Sequence, residues 1–364
     1  MEEEISNLMK WMSGEKTPPV IIELLFGDGC NQNCKFCASH NGENRPLGQY
    51  EMGDKLTEHD YLRLIKESAE LGVNLIQLSG DGEPLFDKKK AMTVMREIKK
   101  YNMSGRINTN GVLFTEDDIK TLVEIDWDFI IFSVESPDAA THDDLVNLPG
   151  AFDRVIHNVK RFNYWKKKLK KDKPEMEFKM ILTNKNYRKL EEMVILSHKL
   201  NVNLRLDSLI IFHDFGNLLK LSKKQETDFK KYLNRAMSLS KKSCLRFNVS
   251  NEILSGVYSK KTNYNDLKNL QFPKLKSNRF LSSSCYLPWL RMLIGTTGFV
   301  GPCGFFMTKD NINNKTLKEI WFGRTYNKLR RDRLNQKLGK FCSFCGDIEY
   351  NCFIRDNLNK QLSE

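Results

Sequence analysis

The segment FGDGCNQNCKFCASHN, residues 26–41, places Cys30, Cys34 and Cys37 in a C-x3-C-x2-C pattern. It follows the apolar run Val20–Leu25, which predicts a buried strand. Three thiolates on one short loop can bind three irons of a [4Fe–4S] cube, and no nearby cysteine completes the fourth iron. The pattern therefore indicates a metal centre with one open position, as catalytic sites have and structural sites lack.

Short β-type runs alternate with amphipathic segments over the first two hundred residues. The predicted strands are Val20–Leu25, Leu75–Leu78, Gly105–Asn108, Phe129–Val134, Glu177–Leu182 and Asn203–Ile211. The predicted helices are Thr57–Leu71, Lys88–Tyr101, Thr115–Glu124, Phe152–Lys168 and Tyr187–Leu200. This alternation predicts an α/β fold with a parallel sheet, whose functional loops lie at the carboxyl ends of the strands.

Length and composition exclude a disordered or fibrous chain, because 364 residues with 40% hydrophobic content can bury a large core. No run approaches the roughly 20 apolar residues of a membrane-spanning helix. The opening MEEEISNLMK is acidic, unlike a signal peptide. We therefore expect a cytoplasmic protein that does not bind membranes.

The net charge of +12 favours anionic partners. The lysine run at Lys166–Lys173 is more typical of a solvated helix end. A second basic stretch, Arg324–Lys337, faces either an acidic substrate or water.

Eight of the nine cysteines fall in two groups, which in a reducing compartment indicates metal binding rather than disulfides. Cys244 stands alone and is expected to be a small buried side chain. A zinc site is the alternative for each group, with His40 as the further ligand of the first. The six histidines show no metal-pair spacing, and His213 with Asp214 is the only one expected near a cavity.

With this cysteine loop the sequence resembles the radical S-adenosylmethionine (radical SAM) superfamily, over roughly Val20–Phe215. LSGDGEPLF at Leu78–Phe86 is similar to the family's glycine and glutamate motif, which exposes backbone to the amino group of SAM. The positions that match this motif are Gly80, Gly82, Glu83 and Pro84.

INTNG at residues 107–111 and FSVES at residues 132–136 are similar to the family segments that end the third and fourth strands. The resemblance implies that Ser133 and Glu135 lie near the ribose or carboxylate of SAM, and that the backbone of Phe36 contacts adenine. Three further SAM-binding candidates are Asn108, Lys179 and Arg205.

The C-terminal pattern resembles the auxiliary-cluster domain called SPASM, or its shortened form, twitch. Cys285-x12-Gly298-x4-Cys303 spans the predicted hairpin RMLIGTTGFVGPC, whose turn is at Gly295–Gly298. One auxiliary [4Fe–4S] cluster is implied, with Cys342-x2-Cys345 completing its ligands. The sequence does not assign roles to Cys352 and Asp356, so it does not decide between one auxiliary cluster and two.

The implied architecture is a partial (β/α)6 TIM-like barrel with a small C-terminal domain built from a β-hairpin and a helix, expected at about Leu317–Leu338. The expected divisions are an N-terminal leader at 1–18, the radical SAM barrel at 19–215, a mainly helical linker at 216–280 and the SPASM/twitch-like domain at 281–364.

The resemblance implies a radical SAM oxidoreductase in which a 5′-deoxyadenosyl radical abstracts a substrate hydrogen and the auxiliary cluster accepts the second electron. Since only 29 residues precede Cys30, too few for a folded peptide-recognition domain, a small anionic or sugar-like metabolite is favoured as substrate. A maturase that modifies or cross-links a ribosomal peptide or protein is the alternative. A flavodoxin- or ferredoxin-type reductant is the expected partner. A zinc-stabilised nucleic-acid-binding protein is the third hypothesis, although no RNA-binding module is recognised.

Overall fold

The computed structural model describes residues 2–26, 29–37, 53–80, 82–211, 214–254, 256, 258–260, 278–304, 306–338, 342, 345 and 347–363. The strands are β1 (Ile21–Leu25), β2 (Leu75–Ser79), β3 (Ser104–Thr109), β4 (Phe129–Ser133), β5 (Glu175–Ile181), β6 (Asn203–Asp207), β7 (Leu209–Ile210), β8 (Phe247–Val249), β9 (Ser259–Lys260), β10 (Arg291–Ile294) and β11 (Val300–Gly301). The helices are α1 (Glu2–Met12), α2 (Glu58–Leu71), α3 (Lys88–Lys100), α4 (Glu116–Glu124), α5 (Ala139–Val146), α6 (Ala151–Leu169), α7 (Leu190–Lys199), α8 (Asp214–Leu219), α9 (Lys223–Lys242), α10 (Asn251–Leu254), α11 (Leu287–Leu290), α12 (Leu317–Trp321), α13 (Arg324–Leu334) and α14 (Ile348–Ser363). Two 310 helices, Pro84–Asp87 and Tyr187–Lys189, precede α3 and α7.

Nine of the strands form one mostly parallel sheet in the order β11-β10-β1-β2-β3-β4-β5-β6-β8. Only the hairpin pair β10–β11 is antiparallel. The predicted α/β fold with six successive parallel strands is confirmed, and those strands are β1 to β6. The two edges, β11 and β8, do not pair with each other, so the described strands form an open, partial barrel.

The two faces of the sheet differ in polarity because successive side chains of a strand point to opposite faces. One face carries apolar side chains such as Ile22, Ile76 and Phe178, which are fully buried in the main hydrophobic core. The other face carries charged side chains such as Glu23 and Arg106. The apolar face packs against the helices, and the polar face is left to line the interior of the barrel.

Helix starts follow the capping signals of the sequence. Thr57 and Thr115 each form a capping box with an aspartate three residues later, which fixes the first turns of α2 and α4.

The predicted helix at Leu317–Leu338 is two helices in the structure, because Gly323 interrupts it. A Cβ at Gly323 would lie 2.2 Å from the carbonyl oxygen of Glu319.

The sheet extends into both segments that follow the predicted barrel. In the segment expected to be mainly helical, strand β8 pairs parallel with β6 at the sheet edge. In the C-terminal segment, β10 pairs parallel with β1, and the predicted hairpin turn is present, since Gly295 N–H donates to Phe299 O. The predicted domain boundaries stay predictions, but the sheet crosses both.

The N-terminal segment expected to be a leader forms helix α1, which packs against α11 and α14. Ile5 and Leu8 are buried there with Trp289 and Ile354 in a second hydrophobic cluster. The first and last helices therefore belong to one packed unit. Within the described residues, no helix has the length and apolar character needed to cross a membrane.

Candidate active site at the carboxyl ends of the strands

The three-cysteine loop leaves β1 and is fixed to helix α5, which the sequence analysis did not predict. Asn33 N–H donates to Val146 O at 3.1 Å, and Lys35 N–H donates to Leu145 O at 2.9 Å. A turn in which Cys37 N–H donates to Cys34 O at 3.0 Å brings these two thiols to the same side. The loop is thus held before any ligand binds.

Burial raises the pKa of the Cys30 thiol, and the nearby Glu83 and Cys37 raise it further. Burial raises the pKa of Cys34 well above its ordinary value, with Glu135 and both other loop cysteines adding to the effect. Such mutual repulsion among thiolates is relieved when they bind a cation, and iron is the cation that this cysteine pattern fits.

Hydrogen-bond donors already face the Cys30 sulfur. Gln32 N–H lies 3.4 Å from Cys30 Sγ, and the Asn110 amide lies 3.9 Å from it. Donors of this kind are the outer-shell contacts that set the properties of cluster sulfurs. Across the described part of the chain, no three Cys, His, Asp or Glu side chains form a group that could hold a single metal ion.

The glycines after β2 allow two loops to touch. A Cβ at Gly80 would lie 2.1 Å from Phe26 O, and one at Gly82 would lie 2.4 Å from Gly29 O. Both distances are too short for any side chain. Because Glu83 N–H also donates to Gly29 O at 2.9 Å, this backbone lies directly against the start of the cysteine loop.

The Glu83 carboxylate connects this loop to the end of β3. It is 2% exposed and accepts hydrogen bonds from Thr109 Oγ1 at 2.6 Å, Asn110 N at 2.7 Å and Leu85 N at 3.1 Å. Burial raises its pKa, and the three donors oppose that effect. Asn110 in turn donates to Asn31 Oδ1 at 2.8 Å, so one chain of contacts joins three strand ends. Sequence reasoning considered the INTNG segment for SAM binding but did not foresee that Thr109 and Asn110 would hold the Glu83 carboxylate.

A single cavity of about 280 Å3 brings most of the predicted site residues together. The predicted residues that line it are Cys30, Cys34, Phe36, Cys37, Gly80, Gly82, Glu83, Asn108, Ser133, Glu135 and Lys179. Pro84 and Arg205 are not among the residues lining it: Pro84 begins a buried 310 turn, and Arg205 Nε pairs with Glu177 at 2.8 Å. The assignment of individual residues to SAM stays a prediction.

Glu135 is a buried carboxyl group inside this cavity. Burial raises its pKa to about 7, although Ile181 N–H donates to Oε2 at 2.8 Å and Lys179 favours the charged form. Its own N–H donates to Nδ1 of His142, which is fully buried. A buried carboxyl group that is partly protonated near neutral pH and lines a cavity is typical of a functional site.

The four C-terminal cysteines of the predicted auxiliary site also lie near one another. Burial raises the pKa of Cys285 to about 12, and neighbouring Cys303 and Cys342 raise it as well. The pKa of Cys345 is raised by burial and then by Asp347, Cys285 and Cys303. The Arg333 guanidinium lies 3.7 Å from Cys342 Sγ, where it offsets thiolate charge. These four cysteines are therefore neighbours, which a shared four-thiolate site would require.

Other sequence expectations are corrected by the structure. Cys244 is exposed rather than buried, because it follows the last turn of α9 with a φ of 51°. In the second basic stretch, Arg330 and Arg333 face neither substrate nor water, since each is 4% exposed. The Arg330 guanidinium lies 4.3 Å from the Trp11 ring centroid. His40 and His213 lie outside the described residues.

Comparison with known protein families agrees with this geometry. Residues 24–163 match the model of the Radical SAM superfamily, and residues 285–346 match that of SPASM, an iron–sulfur cluster-binding domain. The chain therefore combines a radical SAM domain with a SPASM domain. The radical SAM domain binds SAM and a [4Fe–4S] cluster. The SPASM domain binds auxiliary iron–sulfur clusters.

Three curated relatives differ in what they act on. The chain is 27% identical over 202 residues to the tungsten-containing aldehyde ferredoxin oxidoreductase cofactor-modifying protein of Pyrococcus furiosus, which covers 55% of this chain and about half (51%) of that protein. It is 23% identical over 350 residues to the AdoMet-dependent heme synthase of Methanosarcina barkeri, covering 91% and 89% of the two chains. It is 29% identical over 139 residues to the PqqA peptide cyclase of Granulibacter bethesdensis, covering 38% and 35%.

Among solved structures, the fold is similar to that of Streptococcus suis SuiB bound to S-adenosylmethionine. The TM-score is 0.66 with 17% identity, over 98% of this chain and 77% of that one. This likeness concerns the fold alone.

Proposed function

We propose that this radical SAM enzyme oxidises its substrate by two electrons. In this proposal Cys30, Cys34 and Cys37 hold the SAM-binding cluster. The observation that carries it is the single cavity in which these thiols meet the glycine backbone after β2 and the polar side chains that end β4 and β5.

When bound, SAM and the reduced cluster supply a 5′-deoxyadenosyl radical, a reagent that abstracts hydrogen from unactivated C–H bonds. The protein positions the reactants and keeps competing hydrogen donors away. Ser133, Glu135 and Lys179 line the cavity, and in this proposal they bind the polar groups of SAM. The net oxidation would remove a hydrogen atom, a proton and one electron from the substrate, and a cluster held by the C-terminal cysteines would accept that electron.

That electron acceptor is assigned to the C-terminal cysteines Cys285, Cys303, Cys342 and Cys345. Their grouping beside Arg333 supports a site that changes charge, since a nearby guanidinium favours the more negative state. A redox-neutral radical reaction would have no use for this acceptor.

A small anionic metabolite is the substrate class that the polar face of the barrel favours. Arg106 points from β3 into this face, and its described partners are Gln77 Oε1 at 3.4 Å and the Phe129 ring at 5.4 Å. It forms no ion pair with any residue in the described ranges. Burial lowers its pKa and the nearby Arg205 lowers it further, whereas the carboxylates of Glu177, Glu4 and Glu23 oppose that effect. A carboxylate or phosphate on the substrate would satisfy this cation.

Peptide or protein modification is the second candidate, favoured by the relative whose name is PqqA peptide cyclase. The zinc-stabilised nucleic-acid-binding hypothesis loses support, because both ends of the chain match iron–sulfur families.

The test begins with iron and acid-labile sulfide per chain after anaerobic reconstitution, for wild type and the Cys30→Ala, Cys34→Ala, Cys37→Ala variant. About 8 irons falling to about 4 would support one cluster at each end. About 4 irons falling to none would remove the proposed electron acceptor and contradict the oxidative reaction.

Substrate class is tested with extract from cells grown in deuterated medium, separated by size into metabolite and peptide fractions. Deuterium transferred into 5′-deoxyadenosine identifies the fraction that holds the substrate. Transfer from the metabolite fraction is expected. Transfer from the peptide fraction alone would favour the maturase.

A further inference from the structure

A basic groove lies on the surface between the 310 helix Tyr187–Lys189 and helix α9, and encloses about 720 Å3. Asp228 is the one carboxylate among the residues that line it. Its basic side chains are Lys185, Arg188, Lys189, Lys224 and Lys231. Lys185 also pairs with Asp144 and Lys189 with Asp138, so five cations face three carboxylates and the groove keeps a net positive charge.

Three cations of the basic groove, Arg188, Lys224 and Lys231, remain exposed to a partner. Asp228 is shared between Arg188, at 3.5 Å, and Lys231, at 3.9 Å. Lys224 is exposed and pairs with no carboxylate in the described ranges. Arg188 and Lys231 keep 65% and 71% of their side-chain surface in solvent. These cations lie against the protein on one side and face solvent on the other, so an acidic partner could approach them from the solvent side.

The basic groove is joined to the cysteine loop by one carboxylate. Asp144 accepts from Lys35 Nζ at 2.5 Å and from Lys185 Nζ at 2.5 Å. Hydrogen bonds from Lys185 and Lys35 lower the pKa of Asp144, so this bridge is ionised. Lys35 follows Cys34 directly in sequence, and Lys185 lines the groove.

The topology places the groove at the same edge of the sheet as the cysteine loop. The loop follows the carboxyl end of β1, and residues 184–189 follow the carboxyl end of β5. In a parallel sheet these ends share one edge. A partner seated in the basic groove would therefore lie beside the loop that holds Cys34.

We propose that the basic groove is the docking site for an acidic one-electron donor protein of the flavodoxin or ferredoxin type. The inference rests on the proposed function, because reductive cleavage of SAM needs one electron delivered to the cluster at Cys30, Cys34 and Cys37. The donor loses that electron, the cluster gains it, and no atom is transferred. Weak electron-transfer complexes use small, charged interfaces whose association depends on salt.

The lysine run at Lys166–Lys173 provides a matched control. It precedes β5, so it lies at the opposite edge of the sheet from the groove. Lys171 pairs with Asp126 and Lys173 with Asp128, each at 2.5 Å. If net charge alone attracted the donor, this surface would serve equally well.

The test compares Arg188→Glu/Lys224→Glu/Lys231→Glu with Lys167→Glu/Lys168→Glu/Lys170→Glu, two variants with the same change in charge at exposed positions. Flavodoxin is the probe, and each reconstituted enzyme is measured for its dissociation constant at low and high salt. Carbodiimide cross-linking, which joins lysines to carboxylates, locates the contact. Cluster reduction is followed by stopped flow with reduced flavodoxin and, separately, with photoreduced deazaflavin.

We expect the groove variant to bind flavodoxin at least about tenfold more weakly, with most of its salt dependence lost. Its flavodoxin-driven reduction should slow in proportion, while its deazaflavin-driven reduction stays within about twofold of wild type. In the wild type, cross-links should form at Lys185, Lys224 and Lys231.

The proposal is overturned if the control variant loses as much affinity, or if reduction by deazaflavin slows equally. It is also overturned if a glutamate-rich peptide, but not flavodoxin, loses affinity for the groove variant, which would make the groove a peptide site. Failure of the proposed function is separate: deazaflavin-reduced wild type would then fail to form 5′-deoxyadenosine, whatever the flavodoxin affinity.

Discussion

Replacing Glu83 by glutamine tests whether its carboxylate sets the shape of the SAM site. In the native structure Oε1 accepts from Thr109 Oγ1 and Leu85 N, and Oε2 accepts from Asn110 N. A glutamine can keep its oxygen toward Thr109 and Leu85. Its NH2 group then faces Asn110 N–H across a distance of 2.7 Å in the native pair, so two donors oppose each other.

The size of the effect follows from that single lost bond. A buried donor left without its acceptor costs about 1–3 kcal/mol. Asn110 also holds Asn31 and faces Cys30, so the end of β3 and the cysteine loop must shift together. If SAM binds only the native arrangement, its affinity falls by roughly 5- to 150-fold.

The assay is equilibrium binding of SAM to the anaerobically reconstituted enzyme. Thr109→Ser is the matched control, because it keeps the hydroxyl that donates to Glu83 and should bind SAM as wild type does. Iron content should stay near wild type in both variants. A Glu83→Gln enzyme that binds SAM within about twofold of wild type would refute the positioning role of Glu83.

Three further predictions concern the frame around the site. Gly82→Ala should lower SAM affinity at least about tenfold, because the new Cβ would lie 2.4 Å from Gly29 O; unchanged binding would contradict that close approach. Arg291→Met should lower the free energy of unfolding, measured with urea, by about 3–5 kcal/mol, because it leaves buried Glu23 without its cation. Adding Glu23→Gln should restore much of the loss. Additive losses would mean that the two side chains do not interact. Burial lowers the pKa of His142 to about 4, so the native state binds its proton less readily than the unfolded state does. Stability should therefore fall as pH drops from about 6.5 towards 4, by up to about 3 kcal/mol relative to His142→Asn, and a parallel pH dependence of the two proteins would refute this.

Much of the barrel was predictable because local signals and burial agree there. The runs at β1 to β6 are apolar on the face that meets the helices, and Thr57 and Thr115 mark helix starts with side chains that cap them. The three-cysteine loop was equally easy to predict, because its ligands are close together in the sequence. These features depend on neighbours in sequence.

What sequence reasoning missed depends on contacts between distant segments. Helix α5 fixes the cysteine loop because the carbonyl oxygens of Val146 and Leu145 accept backbone hydrogen bonds from the loop, and such bonds leave no residue pattern. The role of Asn110 arises only because Glu83, from another strand, meets it. Cys244 looked like a buried thiol because composition cannot show that it caps a helix end at the surface. Arg330 is buried among aromatic rings from both ends of the chain.

Strand order also places the two cysteine groups at opposite ends of the polar interior. Cys30 follows the carboxyl end of β1, and β10 runs parallel to β1 with Ile21 beside Arg291. Cys285 precedes β10, and Cys303 follows β11, which runs back antiparallel to it. Both C-terminal cysteines therefore lie at the amino edge of the sheet.

Arg291 marks that amino edge of the interior. Burial opposes its charge, but Glu23 and Asp347 hold its pKa above the ordinary value, and Cys303 adds to their effect. A substrate bound to the polar face near Arg106 would lie between the two proposed clusters. In the proposed reaction, an electron delivered through the basic groove would enter at the carboxyl edge, whereas an electron from the substrate would leave at the amino edge. This separation would give a donor docked beside Cys34 access to the SAM-binding cluster without direct contact with the auxiliary one.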